Sequence, residues 1–375
     1  MRKAYNTRRD SENNTMTSTI IDQSKLNEFV GKIVSDIGAS WSTILVYMGE
    51  KLGLYKAMGT AGQPFTSAQL AKKTNTSERY VREWLANQAA SGYITYNPNT
   101  SEYTLPPEHA LALADEKSPV YALGAFQITM SLHKDEPKIT NAFKTGIGVD
   151  WGEHDSGLFE GTERFFRPSY VSNLVSSWIP ALENGKVEEK FKQGGAKVAD
   201  VGCGHGASTI LMAKAYPNCK FVGFDYHVPS IEWARKKANE EGVADRVAFE
   251  VAKSTDFPGN DYDLVAFFDC LHDMGDPIGA AAHALSSLKP NGTLMIVEPF
   301  ANDKLEDNLK HPASRVFYAA STMVCVPASL AYHGPAMGAQ AGEDAISKVV
   351  KAGGFKHFRR ATQTPFNIVY EAKIK

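Results

Sequence analysis

Residues 199–209, ADVGCGHGAST, decide how this chain folds: an apolar strand closes on Asp200, and Gly202, Gly204 and Gly206 follow before a helix opens at Ala207. Glycine lets a backbone turn tightly, and it lets a ligand come closer to the main chain than a Cβ would allow. The spacing also fits GxGxxA through Gly202, Gly204 and Ala207, so a dinucleotide site is one reading. A second strand ends in GFDYH, residues 223–227, which puts Asp225 where a carboxylate accepts from both hydroxyls of a ribose.

Outward from this point the pattern is regular. The runs KVADV (197–201), KFVGF (220–224), RVAFEV (246–251), DLVAFF (263–268) and TLMIVEP (293–299) read as short buried strands, with helices beginning near Ala207, Ser230 and Ile278. Strands alternating with helices predict a parallel sheet covered on both faces. A helix and then a β-hairpin from about Phe355 to Ala372 close the chain.

The N-terminal third reads differently. Phe29, Ile33, Ile37, Trp41, Ile44, Leu45, Met48, Leu52 and Leu54 recur at helical spacing, so long apolar-faced helices are expected from about Leu26 to Met58. Thr66 and Gln69 form a capping-box pattern, with Phe65 and Leu70 placed as a hydrophobic staple. A second helix, capped by Thr76 or Ser77, carries Val81, Trp84, Leu85 and Gln88 on one face and stops at Gly92. Residues 93–106 alternate β-formers around Asn97-Pro98-Asn99, a two-stranded hairpin. Helix, turn, helix and hairpin make a winged helix. Its second helix balances Arg79 and Arg82 against Glu78 and Glu83, so no phosphate-binding stripe is visible and a scaffold role is favoured over DNA binding.

The 375 residues exceed what one core usually organises, and a net charge of -2 gives no field that draws the protein to nucleic acid or an anionic membrane. Cys203, Cys219, Cys270 and Cys325 are scattered without metal-type spacing, which fits reduced thiols in a cytoplasmic protein and no metal centre. Residues 1–19 have basic residues but no apolar run behind them, so a tail is expected rather than a secretory signal or an anchor. The uncharged stretch from Val316 to Gly342 is interrupted by Ser321, Pro327, Ser329, His333 and Pro335 and does not read as a membrane span. Residues 150–170, DWGEHDSGLFEGTERFFRPSY, show no clean period and read as an irregular lid.

Taken in order, ADVGCGHG, GFDYH, YDLVAFFDCLHDMGDP and LKPNGTLMIVEP resemble the successive motifs of class I S-adenosylmethionine (SAM)-dependent methyltransferases. With its winged-helix front end the chain resembles small-molecule O-methyltransferases of bacteria and plants, in which that domain mediates dimers. The resemblance implies an α/β Rossmann-like, seven-stranded class I methyltransferase sheet with a terminal antiparallel hairpin, behind a mainly α winged-helix domain. It implies that SAM is held by Asp200, by the loop Gly202, Cys203, Gly204 and Gly206, by Asp225 at the ribose and by Tyr226 at the adenine, with Ser254 and Asp269 beside them. One departure stands out. Lys253 occupies the position where the family commonly has an acid for the adenine amino group, so Ser254 or a backbone group is left to serve there. Cys203 reads as a small filler in the loop and not as a nucleophile.

His272 follows the C-terminal end of the fourth strand, where an open α/β sheet presents its ligands. In plant-type O-methyltransferases LHDW carries the catalytic base; this chain has LHDM, matching at Leu271, His272 and Asp273 without the tryptophan. Glu298, at the end of the fifth strand, is expected to orient His272, and His272, Asp273 and Glu298 form the expected catalytic set; a loop-anchoring histidine and carboxylate are the alternative. With an ordinary pKa of about 6.5, His272 would be mostly neutral at pH 7. His154 with Asp155 is a second acid–base candidate pair. Trp151, His154, Phe165, Phe166 and Tyr170, with Tyr318, Met323 and His333, are the candidate acceptor pocket, the alternative being interdomain core.

The chain is therefore expected to divide into a disordered tail (1–24), a winged-helix dimerisation domain (25–105), a helical linker and lid (106–194) and a SAM-binding domain (195–375). The expected reaction is metal-free methyl transfer to a small-molecule hydroxyl, with S-adenosylhomocysteine as product, in a cytoplasmic homodimer. N-, S- or C-methylation, a SAM-sensing DNA-binding regulator and a nicotinamide oxidoreductase are the competing readings.

Overall fold

A computed structural model of the protein describes residues 21–374. Most of the expected N-terminal tail lies outside them.

The sheet forms around four apolar runs buried on both faces, with a fifth, Val247–Val251, half-exposed at its edge. Its strands are β4 (Lys197–Val201), β5 (Lys220–Asp225), β6 (Val247–Val251), β7 (Tyr262–Phe268), β8 (Leu288–Pro299), β9 (His357–Gln363) and β10 (Asn367–Lys373), in the order β6-β5-β4-β7-β8-β10-β9. The first five run parallel, and β10 runs against both β8 and β9, as the terminal hairpin implied. Every residue of β7 is buried. Leu264, Ala266 and Phe268 pack into one core with Trp178, Phe191 and Ile231, while Val265 and Phe267 pack into a second with Ala280, Ala284, Ile346 and Val350. That alternation is the period of two with both faces covered.

The front end begins with α1 (Gln23–Lys51), whose start two residues ahead of the expected boundary is fixed by Asp22 accepting from the backbone N–H groups of Ser24 and Lys25. There follow α2 (Leu54–Met58), α3 (Ser67–Thr74) and α4 (Glu78–Ala90). The Thr66–Gln69 capping box is present. Ser77 is the N-cap of α4 but makes no side-chain cap bond. The wing has a third strand that the turn pattern did not reveal: β1 (Pro64–Phe65) pairs with β3 (Glu102–Thr104), which pairs with β2 (Thr95–Asn97). A third core of Val46, Leu54, Leu70, Val81, Trp84 and Leu85 holds this unit together.

Between the two units lie α5 (Pro107–Leu113), α6 (Leu123–Thr145) and α7 (Gly157–Asn173), the last of them within the stretch expected to be an irregular lid. The period of α7 is blurred because two of its faces are apolar. One packs on α6, where Gly124 brings the backbones close: a Cβ there would lie 2.6 Å from the Phe165 nitrogen. The other turns Phe159, Phe166 and Tyr170 toward a cavity. The uncharged stretch forms helix Ser314–Ala320, a π-turn at Ser321–Cys325 and helix Val326–Ala331.

Among the described residues α1 alone is long and apolar enough to cross a membrane by length and composition. It packs on α6 and α4 by one side and leaves Phe29, Ile33, Val34, Ile37 and Trp41 exposed on the other.

Candidate active site

A cavity of about 1010 Å³ opens where the C-terminal ends of β4, β5 and β7 face α1, α6 and α7. The sheet supplies its polar wall and the helices its apolar one.

The polar wall starts at the glycine loop. Gly202 and Gly204 take φ of +75° and +51°, and a Cβ added to Gly204 would project into open space, so the loop leaves room for a ligand against its backbone. Asp225, at the end of β5, is 9% exposed; Oδ2 accepts from the Gly204 N–H at 2.9 Å and Oδ1 from the His227 N–H at 2.8 Å. Each oxygen keeps a second lone pair, which suits a vicinal diol. Tyr226, Lys253, Ser254 and Thr255 continue the wall, and Tyr332 meets Tyr226 edge-on at 6.1 Å.

Asp200 and Gly206 stand behind this wall. Asp200 is fully buried, its Oδ2 accepting from the Ser208 and Thr209 hydroxyls at 2.6 Å each, which ties β4 to helix Ala207–Ala215; Oδ1 has no partner. Burial pushes its carboxyl up to about 6 despite these bonds. A Cβ on Gly206 would strike the Phe249 ring. Cys203 lines the cavity, but burial pushes its thiol well up, as an inert filler requires.

At the cavity floor the short turn Leu271–Asp273 carries His272, whose Nδ1 hydrogen-bonds Glu298 at the end of β8. Both are buried, and the bond to Nδ1 leaves Nε2 for the other side of the ring, where Cys325 lies. Burial opposes a charged imidazolium here, yet the Glu298 carboxylate and Cys325 outweigh it and hold the His272 pKa well above its usual value. The expectation of an ordinary histidine is thus corrected: its pair with Glu298 favours the imidazolium, so the neutral ring that can accept a proton on Nε2 is reached at higher pH than for a free histidine. Asp273 is pushed up to about 7 and Asp269 to about 8, chiefly by burial. Asp269 holds a left-handed φ of +52°, and its carboxylate accepts from the Tyr170 hydroxyl at 2.9 Å and from Asn367 at 3.1 Å. This lines up α7, β7 and β10 around the site.

On the apolar wall stand Trp151, Phe165, Phe166 and Tyr170. His154, Tyr318 and Met323 do not reach it. The partner of His154 is Asp135, at 2.9 Å, and not Asp155, which bonds Lys134 and Ser131 instead. Tyr318 bonds Asn308, and Met323 packs beside Leu158 and Val324. Phe317 of the helix before the π-turn faces inward instead of Tyr318, and within the π-turn, whose extra residue per turn rotates the helix, Val324 and Cys325 face inward instead of Met323. Sequence reasoning also missed Asp36, Ala39, Ser40 and Thr43 of α1, which close the cavity from the front. Their spacing marked a helix but not what it covers.

Residues 192–347 match the family model described as "Methyltransferase domain", and residues 40–115 match the "Rv2258c-like winged HTH domain". The chain is 32% identical over 148 residues to 27-O-demethylrifamycin SV methyltransferase of Amycolatopsis mediterranei, a match spanning 39% of this chain and 48% of that one. The matches span about half the length of the curated relatives, or less. Its fold is similar to that of an O-methyltransferase family protein from Burkholderia thailandensis, with a TM-score of 0.66 at 17% identity over 94% of this chain and 98% of the other. Human N-acetylserotonin methyltransferase, solved in complex with SAM, aligns with a TM-score of 0.61 at 14% identity over 95% and 99%. Residues 192–347 thus match a methyltransferase domain, residues 40–115 match a winged helix-turn-helix domain ahead of it, and the chain shares the fold of these O-methyltransferase structures.

Proposed function

We propose that this chain transfers the methyl group of SAM to a hydroxyl of a small-molecule acceptor, with His272 as general base and Glu298 as the residue that positions it. The observation that carries the reading is the buried His272–Glu298 pair in the same cavity as the Gly202–Gly204 loop and Asp225. The open space at Gly204 and the spare lone pairs of Asp225 fit an aminoacyl–nucleoside ligand of SAM's shape.

SAM supplies an activated methyl group on sulfonium. The chain's own task is alignment, desolvation and proton removal. Asp225 would hold the ribose diol, and the backbone at Gly202 and Gly204 the aminoacyl end. Asp200, tied to Ser208 and Thr209, would act by holding that loop and not by contact. With Lys253 in the usual acid's place, Ser254, on the same wall, is left for the adenine. Tyr170, Phe166 and Trp151 would shelter a flat acceptor and exclude water. His272 would take the hydroxyl proton on Nε2, while the Glu298 bond fixes the ring and stabilises the imidazolium that forms.

The division into winged helix, helical linker and catalytic domain follows the same reading, with the exposed apolar face of α1 covered by a second copy. Nucleic acid is disfavoured because Arg79 is paired with Glu83 and Arg82 with Glu78 along α4. All four cysteines are free, as in a cytoplasmic protein. The test is a hydroxyl-acceptor panel with SAM for wild type and His272→Gln. A loss of roughly 10²- to 10⁴-fold in turnover with SAM affinity retained is expected; turnover within a few-fold of wild type would remove His272 from the chemistry.

A further inference from the structure

We propose that His272, Asp273 and Cys325 form a binding site for one zinc-class divalent ion at the cavity floor. A ring nitrogen of His272, a carboxylate oxygen of Asp273 and the Cys325 sulfur lie within 4.8 Å of one another. These are the three donor types that zinc takes, and tetrahedral bonds of about 2.0–2.3 Å place ligand atoms some 3.3–3.8 Å apart. Small side-chain rotations would gather them.

Two further observations point the same way. Glu298 holds Nδ1 of His272, which fixes the ring as a ligand through Nε2, the carboxylate–histidine–metal arrangement of natural sites. All three donors line the cavity, so three protein ligands would leave the fourth position open to it. The ligands come from two separate elements, the turn Leu271–Asp273 and the π-turn Ser321–Cys325, so an ion would also clamp the floor to the uncharged helix.

Binding releases to solvent the thiol proton of Cys325 and any proton held on His272 Nε2 or the Asp273 carboxyl, and places the ion on the nitrogen that would accept the acceptor's proton. Zinc and base catalysis at His272 therefore exclude each other. Zinc is then an inhibitor that competes with the acceptor. The inhibition rests on the function proposed above; the binding does not.

The test is equilibrium dialysis of the full chain against zinc buffered by a chelator, with the cobalt(II) spectrum as a second readout. One ion per chain is expected, with a sulfur-to-cobalt charge-transfer band. Cys325→Ser should abolish the band and weaken zinc by at least on the order of a hundredfold. Cys219→Ser, whose thiol contacts the Phe191 carbonyl away from the cavity, should change neither. Absence of stoichiometric binding, or binding indifferent to Cys325→Ser, would overturn the site. Zinc bound through Cys325 without loss of methyl transfer would keep the site and refute the base; no zinc binding with an inactive His272→Gln would do the reverse.

Discussion

Asp225→Ala tests the cofactor end of the site most sharply. In the folded chain the carboxylate already accepts the Gly204 and His227 N–H groups, and its remaining lone pairs face the cavity. Two ribose hydroxyls donating to it would contribute about 1.5 kcal/mol each, so their loss weakens SAM or S-adenosylhomocysteine by about 3 kcal/mol, on the order of a hundredfold. The truncation also strips acceptors from two backbone N–H groups, of which Gly204 borders the cavity and gains water, so the free protein should lose only about 1–2 kcal/mol. Asp225→Asn has one oxygen and sets an amide N–H₂ against one of those donors; its affinity should fall between wild type and alanine. Calorimetric titration with S-adenosylhomocysteine, beside the melting temperature of the free protein, separates the two effects. If Asp225→Ala binds within threefold of wild type, the ribose assignment is wrong.

Three other outcomes follow from the geometry. Glu298→Gln keeps an acceptor for the His272 ring but removes a charge, worth about 4 kcal/mol at 4 Å and an effective dielectric near 20, so in chelator-treated protein the alkaline rise of the rate should move down by one to three pH units; an unmoved profile detaches Glu298 from the histidine. Asp263, side chain 1% exposed, is held below its usual pKa by Lys190, Lys289 and the Lys197 N–H, which outweigh its burial, so its stabilisation is full above about pH 4 and is lost as pH falls through the lowered value. Asp263→Asn should cost about 1–3 kcal/mol at pH 7 and nothing near pH 2 by urea unfolding; an equal loss at both contradicts the ion pairs. Charging α1 with Val34→Glu and Trp41→Glu should turn a dimer into monomers by sedimentation, and an unchanged mass would leave that face without its proposed partner.

How far the sequence carried depended on whether a feature was local. β4, β5, β7 and β8 were legible because strands buried on both faces read as apolar runs, edge strand β6 by its alternation, and the loop after Asp200 because positive φ demands glycine. Leu271-His272-Asp273 was legible as a motif, but the neighbours that set its chemistry are 26 and 53 residues away, Glu298 on β8 and Cys325 on the π-turn. Glu298 could be guessed from its strand end; Cys325 could not. The raised His272 pKa depends on the same distant pair, so the residue's ordinary value misled. His154 was read with its sequence neighbour Asp155, whereas α6 brings Asp135 to it. Met323 was misplaced by a π-turn that has no sequence signature, and Tyr318 because the sequence did not show which face of its helix meets the cavity.

The central claim is most directly tested by following the methyl group itself. The full chain is incubated with SAM carrying an isotope-labelled methyl and with a flat phenolic acceptor panel, alongside the thiol and amine analogues, and the products are read by mass spectrometry. The account predicts label on oxygen in wild type and at least a hundredfold less in His272→Gln, with S-adenosylhomocysteine released in equal amount. Label only on sulfur or nitrogen, at a rate that His272→Gln leaves unchanged, would contradict it.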